Sequence, residues 1–253
     1  MLRQINAACS SGSLITEIAI LRTTTSGRLD DSLKSLLAEI QARQNEWHAA
    51  NFPSLPWSSA GRAAAWFQQA EDPSCVLTTV HWASVAAHWT WIGSHEIKTA
   101  MTQLENGEEG EGGGYISMGK FVLYHVDGDL FGGGLRPPAA AAAAGNPGAV
   151  VGLLESPVVS VERILVEAES KDAFGALFEE LREVLDNFAV KDGWRADGAP
   201  GGATKEEFVL VCGWPSVGRH AEFAQSAGFP RYNHIRQFVA SGEDDVKHYK
   251  RFM

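Results

Sequence analysis

Residues 82–94 read WASVAAHWTWIGS, and residues 214–226 read WPSVGRHAEFAQS. At a constant offset of 132, five positions coincide: Trp82/Trp214, Ser84/Ser216, Val85/Val217, His88/His220 and Ser94/Ser226. Tryptophan and histidine are rare, so their joint recurrence marks an internal repeat, which has to be settled before any local assignment. Each motif is entered from a β-type run that ends on its Trp, residues 75–82 (CVLTTVHW) and 207–214 (EFVLVCGW). A further Trp lies upstream of each run, Trp66 and Trp194.

The flanks extend the repeat into two copies of one element order. In the first, residues 14–21 (LITEIAIL) read as a strand, and residues 30–47 place Leu33, Leu36, Leu37 and Ile40 at helical spacing. Strands follow at 64–70 and 75–82, then the motif helix, a helix-compatible stretch at 96–104 and a closing strand at 115–126. In the second, a strand at 158–168 precedes a helix at 171–190 with Phe174, Phe178, Leu181 and Leu185 on one face. Strands at 193–196 and 207–214, the motif helix, a helix-compatible stretch at 233–240 and a closing strand at 246–252 complete it. The order β-α-β-β-α-β, twice, is the ferredoxin-like plan. One such unit leaves an apolar sheet face without helices, and that face must be buried. The expected architecture is therefore α+β: two tandem ferredoxin-like units, residues 13–131 and 157–253, packed sheet-to-sheet around a central space. Residues 132–156 read as a Gly/Pro/Ala linker, because Pro137, Pro138 and Pro147 block a continuous helix. Residues 106–114 (NGEEGEGGG) read as an acidic loop.

Composition narrows the function classes. A net charge of −10 over 253 residues, without a basic face, argues against a nucleic-acid partner. No apolar run approaches the roughly 20 residues of a membrane-spanning helix, so no membrane partner is expected. The N-terminus lacks the apolar core of a signal peptide. Three scattered cysteines build neither a disulfide framework nor a thiolate zinc site, which favours the cytoplasm. No GxGxxG, P-loop or HExxH pattern occurs, and His81, His88 and His95 are spaced by seven, not by the three to five residues of a zinc site; no metal and no tightly bound cofactor are expected.

With the strand ending in Trp, the Ser after it and the His on a short helix in view, the chain resembles the dimeric α/β-barrel superfamily, especially tandem antibiotic-biosynthesis-monooxygenase-like (ABM-like) proteins. The resemblance covers nearly the whole chain outside the linker and the acidic loop. It implies an intramolecular dimeric α/β barrel, so a monomer built as a pseudo-dimer, or a weak homodimer. Relatives include cofactor-independent oxygenases, polyketide cyclases, haem-handling enzymes and proteins with no known reaction. The implied function is a cofactor-independent oxygenase or cyclase acting on an aromatic or polyketide-like molecule. The alternative is a non-catalytic small-ligand-binding or stress-response module with the same cavity. Nothing in the sequence selects an iron ligand.

Candidate residues concentrate in the first copy. Ser84 and Ser216 suit helix N-caps. His88 and His220 either face a cavity as acid–base or ligand-binding groups, or close a hydrogen bond to a neighbouring strand. His88 and His95 are the catalytic candidates. The second copy has Ala221, Phe223 and Ala227 where the first has Trp89, Trp91 and His95. That asymmetry points to a small hydrophobic or aromatic ligand against Trp82, Trp89 and Trp91, unless these rings only fill a core. Tyr124, Trp214 and His220 complete the ligand-binding candidates. Strand alternation puts Tyr124 and His125 on opposite faces.

Overall fold

The computed structural model describes residues 14–24, 29–53, 58, 61–106, 114–132, 152–185, 189–200, 202 and 204–253. Most of the expected linker and of the acidic loop lie outside these residues.

The first half runs β1 (Ile15–Arg22), α1 (Asp31–Asn51), β2 (Ala65–Gln69), β3 (Cys75–Trp82), α2 (Val85–Ile92), α3 (His95–Asn106) and β4 (Val122–Asp127). The second runs β5 (Val158–Glu167), α4 (Lys171–Leu181), β6 (Ala189–Trp194), β7 (Lys205–Trp214), α5 (Val217–Phe223), α6 (Phe229–Tyr232) and β8 (Val239–Arg251). The helix starts follow their caps. Asp30 accepts from Leu33 N, Ser84 from Ala87 N and Ser216 from Arg219 N, each satisfying an amide that a helix end leaves unpaired. Gly93 ends α2, so His88 and His95 stand on different helices and their spacing of seven does not align them.

All strand pairs are antiparallel, in the order β4-β1-β3-β2-β8-β5-β7-β6. Each half repeats one arrangement, its fourth strand beside its first, then its third, then its second. The halves join where β2 pairs β8, at Phe67↔Arg251 to Gln69↔Tyr249. At the opposite seam β4 meets the end of β6 through the Val126↔Arg195 bridge and the Ala196 N–H donated to His125 O at 2.8 Å. A Cβ on Gly193 would lie 2.2 Å from Asp127 O, so this close approach requires glycine. The sheet thereby curves into a nearly closed barrel.

Alternation assigns the two faces. Ile18, Phe67, Leu77, Tyr124, Val159, Val161, Val209, Val211 and Tyr249 point inward. Leu130, Phe131 and Leu153 join them, so the central space expected from the sequence is a packed core. On the outer face of the first half, α1, α2 and α3 cover Ile15, Leu21, Trp66, Val76, Val80 and Trp82. On the second half, Phe174 and Phe178 of α4 pack on Phe208, and Phe223 of α5 packs on Trp214.

Four elements differ from the sequence reading. The strand expected at 193–196 is β6, Ala189–Trp194. The strand expected at 115–126 is interrupted by a 3-10 turn at Met118–Lys120, and β4 begins at Val122. The helix expected to reach residue 190 ends at Leu181, because the chain must turn back to supply β6 to β7. The strand expected at 246–252 begins already at Val239 and shortens the helix-compatible stretch before it to a 3-10 turn, Asn233–Phe238. Strand β8 is extended because it has partners along its length, β5 and then β2. Pairing partners are a tertiary property that outweighs local preference.

Candidate functional site

Trp82 ends β3 on the outer face, and Ser84 then starts α2. One helical turn later His88 lies over the Trp82 ring, stacked at 4.8 Å between centroids. Trp82 Nε1 donates to Glu17 Oε2 on β1 at 2.7 Å, and His88 Nε2 lies 3.3 Å from the same oxygen. His88 Nδ1 is 2.6 Å from His125 Nε2 on β4, and His125 Nδ1 is 3.0 Å from Asp197 Oδ2. Asp197 follows β6 and is also bound by Arg195 Nε at 2.6 Å. A hydrogen-bonded chain, His88, His125 and Asp197, thus crosses the seam between the halves, with Glu17 beside its outer end. Both imidazoles are fully buried.

The second half repeats the arrangement. Trp214 Nε1 donates to Ser160 Oγ at 2.8 Å, and His220 stacks on Trp214 at 4.2 Å. His220 Nδ1 is 2.7 Å from His248 Nε2 on β8, and His248 Nδ1 is 2.5 Å from Glu71 Oε1. Glu71 follows β2. In both cases, therefore, the carboxylate comes from the opposite half, just after that half's second strand. Ser160 is the counterpart of Glu17, since Ile15↔Trp82 and Val158↔Trp214 are equivalent pairings.

The carboxylates set the protons. Burial pushes Asp197 up, but hydrogen bonds from His125 and Arg195 outweigh it and hold the acid below its usual range. Glu71 is likewise held low, mainly by His248, against its burial. Each carboxylate favours a proton on Nδ1 of its His, whose Nε2 then accepts from Nδ1 of the stacked His. The outer nitrogen, Nε2 of His88 or His220, is left as an acceptor. Burial lowers both stacked histidines. For His220 the neighbouring His248 adds to this and the value falls to about 4. In the first half His88 Nε2 lies near Glu17 Oε2 but makes no hydrogen bond among the described residues, so the hydrogen-bonded line runs from His88 through His125 to Asp197.

Glu17 lines a mostly apolar cleft of about 70 Å³ between the sheet and helices α1 and α3, with Trp66, Trp91, Ile97 and Leu104 on its walls. Gln41 and Gln44 are its other polar lining side chains apart from Thr78. Behind Gln44, Arg62 is 2% exposed, packs over Trp82 at 5.5 Å and donates from Nη2 to Gln44 Oε1 at 2.9 Å. Its Nε and Nη1 have no hydrogen-bond partner among the described residues. Burial lowers Arg62 to about 10, with Glu17 opposing. His48, beside the same Trp82 ring, also has both ring nitrogens unpartnered; burial, then Arg62, lowers it to about 4. The second half has a cavity of about 90 Å³ lined by Ser160, Glu162, Cys212, Trp214, His220 and Tyr232, among others. Neither cavity approaches the volume of a porphyrin. Among the described residues no cluster of three or more His, Cys, Asp or Glu side chains has the geometry of a metal site.

No protein-family model matches the sequence, and no curated protein matches it. Solved structures do. An anthrone oxidase-like protein superposes with a TM-score of 0.56 at 13% identity, covering 96% of this chain and 93% of the other. A candidate monooxygenase from Fusobacterium nucleatum gives 0.51 at 9% identity, covering 96% and 94%. A point variant of chlorite dismutase from Candidatus Nitrospira defluvii gives 0.50 at 10% identity, covering 95% and 92%. The fold is a tandem dimeric α/β barrel. Both halves of the barrel thus lie in one chain, and no helix among its described residues is long and apolar enough to cross a membrane.

The barrel distributes the sequence candidates unequally. It brings Trp82 and His88 together beside Glu17, and Trp214 and His220 together beside Ser160. Trp91 is buried and lines the first cleft. Trp89 is 50% exposed and stacks on the outer side of His88, away from the core. His95 is exposed at the start of α3 and does not line the cleft. Tyr124 points into the barrel between Arg163 and Arg195 and lines neither cleft, with its hydroxyl unpartnered among the described residues. Glu17, Arg62, Asp197, His248 and Glu71 escaped the sequence reading, which weighed His125 only by its alternation with Tyr124. His125 and His248 are equivalent in the barrel but stand 123 positions apart, so the offset of 132 hides their correspondence.

Proposed function

We propose that the chain is a cofactor-independent oxygenase or cyclase acting on an aromatic, polyketide-like molecule bound in the first-half cleft. The observation that carries this reading is Glu17: a nearly buried carboxyl group lining an apolar cleft, with His88, the outer end of the His88–His125–Asp197 line, 3.3 Å behind it. Such a group removes a proton from an acidic C–H or O–H of a flat ligand. His88 and His125 then move the charge toward Asp197 at the seam, while Arg62 supports negative charge near Gln44. The resulting carbanion or phenolate either attacks a carbonyl within the same molecule, closing a ring, or gives electrons to dioxygen. For an anthrone-like methylene, one CH₂ and one O₂ yield one C=O and one H₂O, both C–H bonds being broken. A free cavity of roughly 150 Å³ is what benzene occupies in a protein core. The half-buried Ile92, Met101 and Phe121 on the cleft wall must therefore move for a ring system to enter.

The reading takes residues 13–131 and 157–253 as two units of a monomeric pseudo-dimer. The free thiols of Cys75 and Cys212 are consistent with the cytoplasm. The test is oxygen uptake and product formation with anthrones and polyphenolic ring systems, comparing the native protein with Glu17→Gln and His88→Ala. Loss of about 100-fold or more in both variants is expected of a general base and its relay. Full activity in Glu17→Gln overturns the assignment. Tight binding of the same molecules without turnover supports instead the non-catalytic ligand-binding module.

A further inference from the structure

We propose that the second half carries a separate binding site for a single-ring phenol, whose hydroxyl donates to His220 Nε2. The cavity of about 90 Å³ is walled by Trp214, Phe223, Phe229 and Tyr232, which suits a flat ring. Its volume is below the roughly 150 Å³ of a benzene-binding cavity, so the half-buried Phe229 on its wall must give way to admit one ring, and nothing larger than one ring is expected.

Polarity is decided by the relay. Glu71 takes the proton of His248 Nδ1, His248 Nε2 takes that of His220 Nδ1, and His220 Nε2 is left with a lone pair. That nitrogen makes no hydrogen bond among the described residues. In the first half the corresponding nitrogen faces Glu17; here the equivalent residue is Ser160, whose Oγ already accepts from Trp214 Nε1. The substitution of serine for glutamate opens the space in front of His220. The Tyr232 hydroxyl is engaged with Glu162 Oε2 at 2.9 Å, so it does not turn into the cavity to compete for His220. A bare imidazole lone pair accepts a hydrogen bond and cannot give one. The ligand must bring the proton, which selects a phenol over its methyl ether.

4-Nitrophenol and 4-nitroanisole are the probes, titrated against the intact chain by absorbance, with histidine ¹⁵N spectra to locate the contact. The native protein is expected to bind 4-nitrophenol saturably, to bind 4-nitroanisole at least 10-fold more weakly, and to shift His220 Nε2 and not His88 Nε2. His220→Ala should weaken 4-nitrophenol at least 10-fold. Absence of saturable binding, equal binding of the two probes by the native protein, or undiminished binding of 4-nitrophenol by His220→Ala overturns the proposal. The turnover assay of the first-half cleft reads none of these signals, so the two readings fail separately.

Discussion

Replacing Asp197 by Asn should reverse the proton line of the first half while leaving its geometry intact. Asp197 accepts from Arg195 Nε at 2.6 Å through one oxygen and faces His125 Nδ1 at 3.0 Å with the other. An asparagine oxygen can keep the arginine, and its NH₂ then meets His125 Nδ1 as a donor. His125 must carry its proton on Nε2 and give it to His88 Nδ1, and His88 must in turn carry its proton on Nε2, toward Glu17. The Arg195–Asp197–His125–His88 contacts all keep a donor and an acceptor, so the stability cost is the difference between charge-assisted and neutral hydrogen bonds, about 1–2 kcal/mol. At about 2–4 °C per kcal/mol for a chain near this size, the melting temperature should fall by roughly 2–8 °C. Asp197→Ala should cost more, about 3 kcal/mol or above, because it strands a buried imidazole N–H and the Arg195 guanidinium. Histidine ¹⁵N correlation spectra report which nitrogen is protonated. In the native protein both relay imidazoles should carry the proton on Nδ1, and in Asp197→Asn on Nε2. The same exchange in a Ser-His-Asp relay lowers the rate by about 10⁴ through the wrong tautomer, and a loss of at least 100-fold is expected of any turnover here. Unchanged protonation in Asp197→Asn, or a stability loss equal to that of Asp197→Ala, would refute the reasoning.

Other outcomes follow from the same contacts. Gly193→Ala should destabilise by more than about 2 kcal/mol and loosen the β4–β6 seam, seen as faster amide exchange at Ala196, since a Cβ would meet Asp127 O at 2.2 Å. Ser84→Ala and Ser216→Ala should each cost about 0.5–2 kcal/mol in urea unfolding through the lost cap bonds. His48 and His220 have folded values of about 4 against 6.5 unfolded, so the unfolded chain binds their protons first. Their stabilisation is complete above about pH 6.5 and is lost as the pH falls toward 4; His48→Phe should flatten that decline in urea midpoints measured from pH 7 to 4. A decline of the same steepness in His48→Phe would remove His48 from the account.

The repeat of Trp, Ser and His by itself determines much of the local structure of this protein. A serine after a strand caps a helix because its hydroxyl meets the third amide, a purely local geometry, and both Ser84 and Ser216 do so. A histidine four residues later returns one turn back over the strand end, again for a local reason. The period of two in β1, β3, β5 and β7, with helices of period 3.6 between them, was enough for two ferredoxin-like copies. Local rules ended at the seams. Strand β8 runs long only because β5 and β2 pair with it, and the barrel interior is closed only because Leu130, Phe131 and Leu153 fold into it. The site itself depends on residues far apart in the chain. Glu17 meets His88 because β1 lies beside β3, and Asp197 meets His125 because the second half closes against the first. Hydrogen-bond partners across a barrel are chosen by which strands become neighbours. Spacing along one chain carries no record of that choice, so the histidines of the motif were legible in the sequence and the carboxylates that set their protons were not.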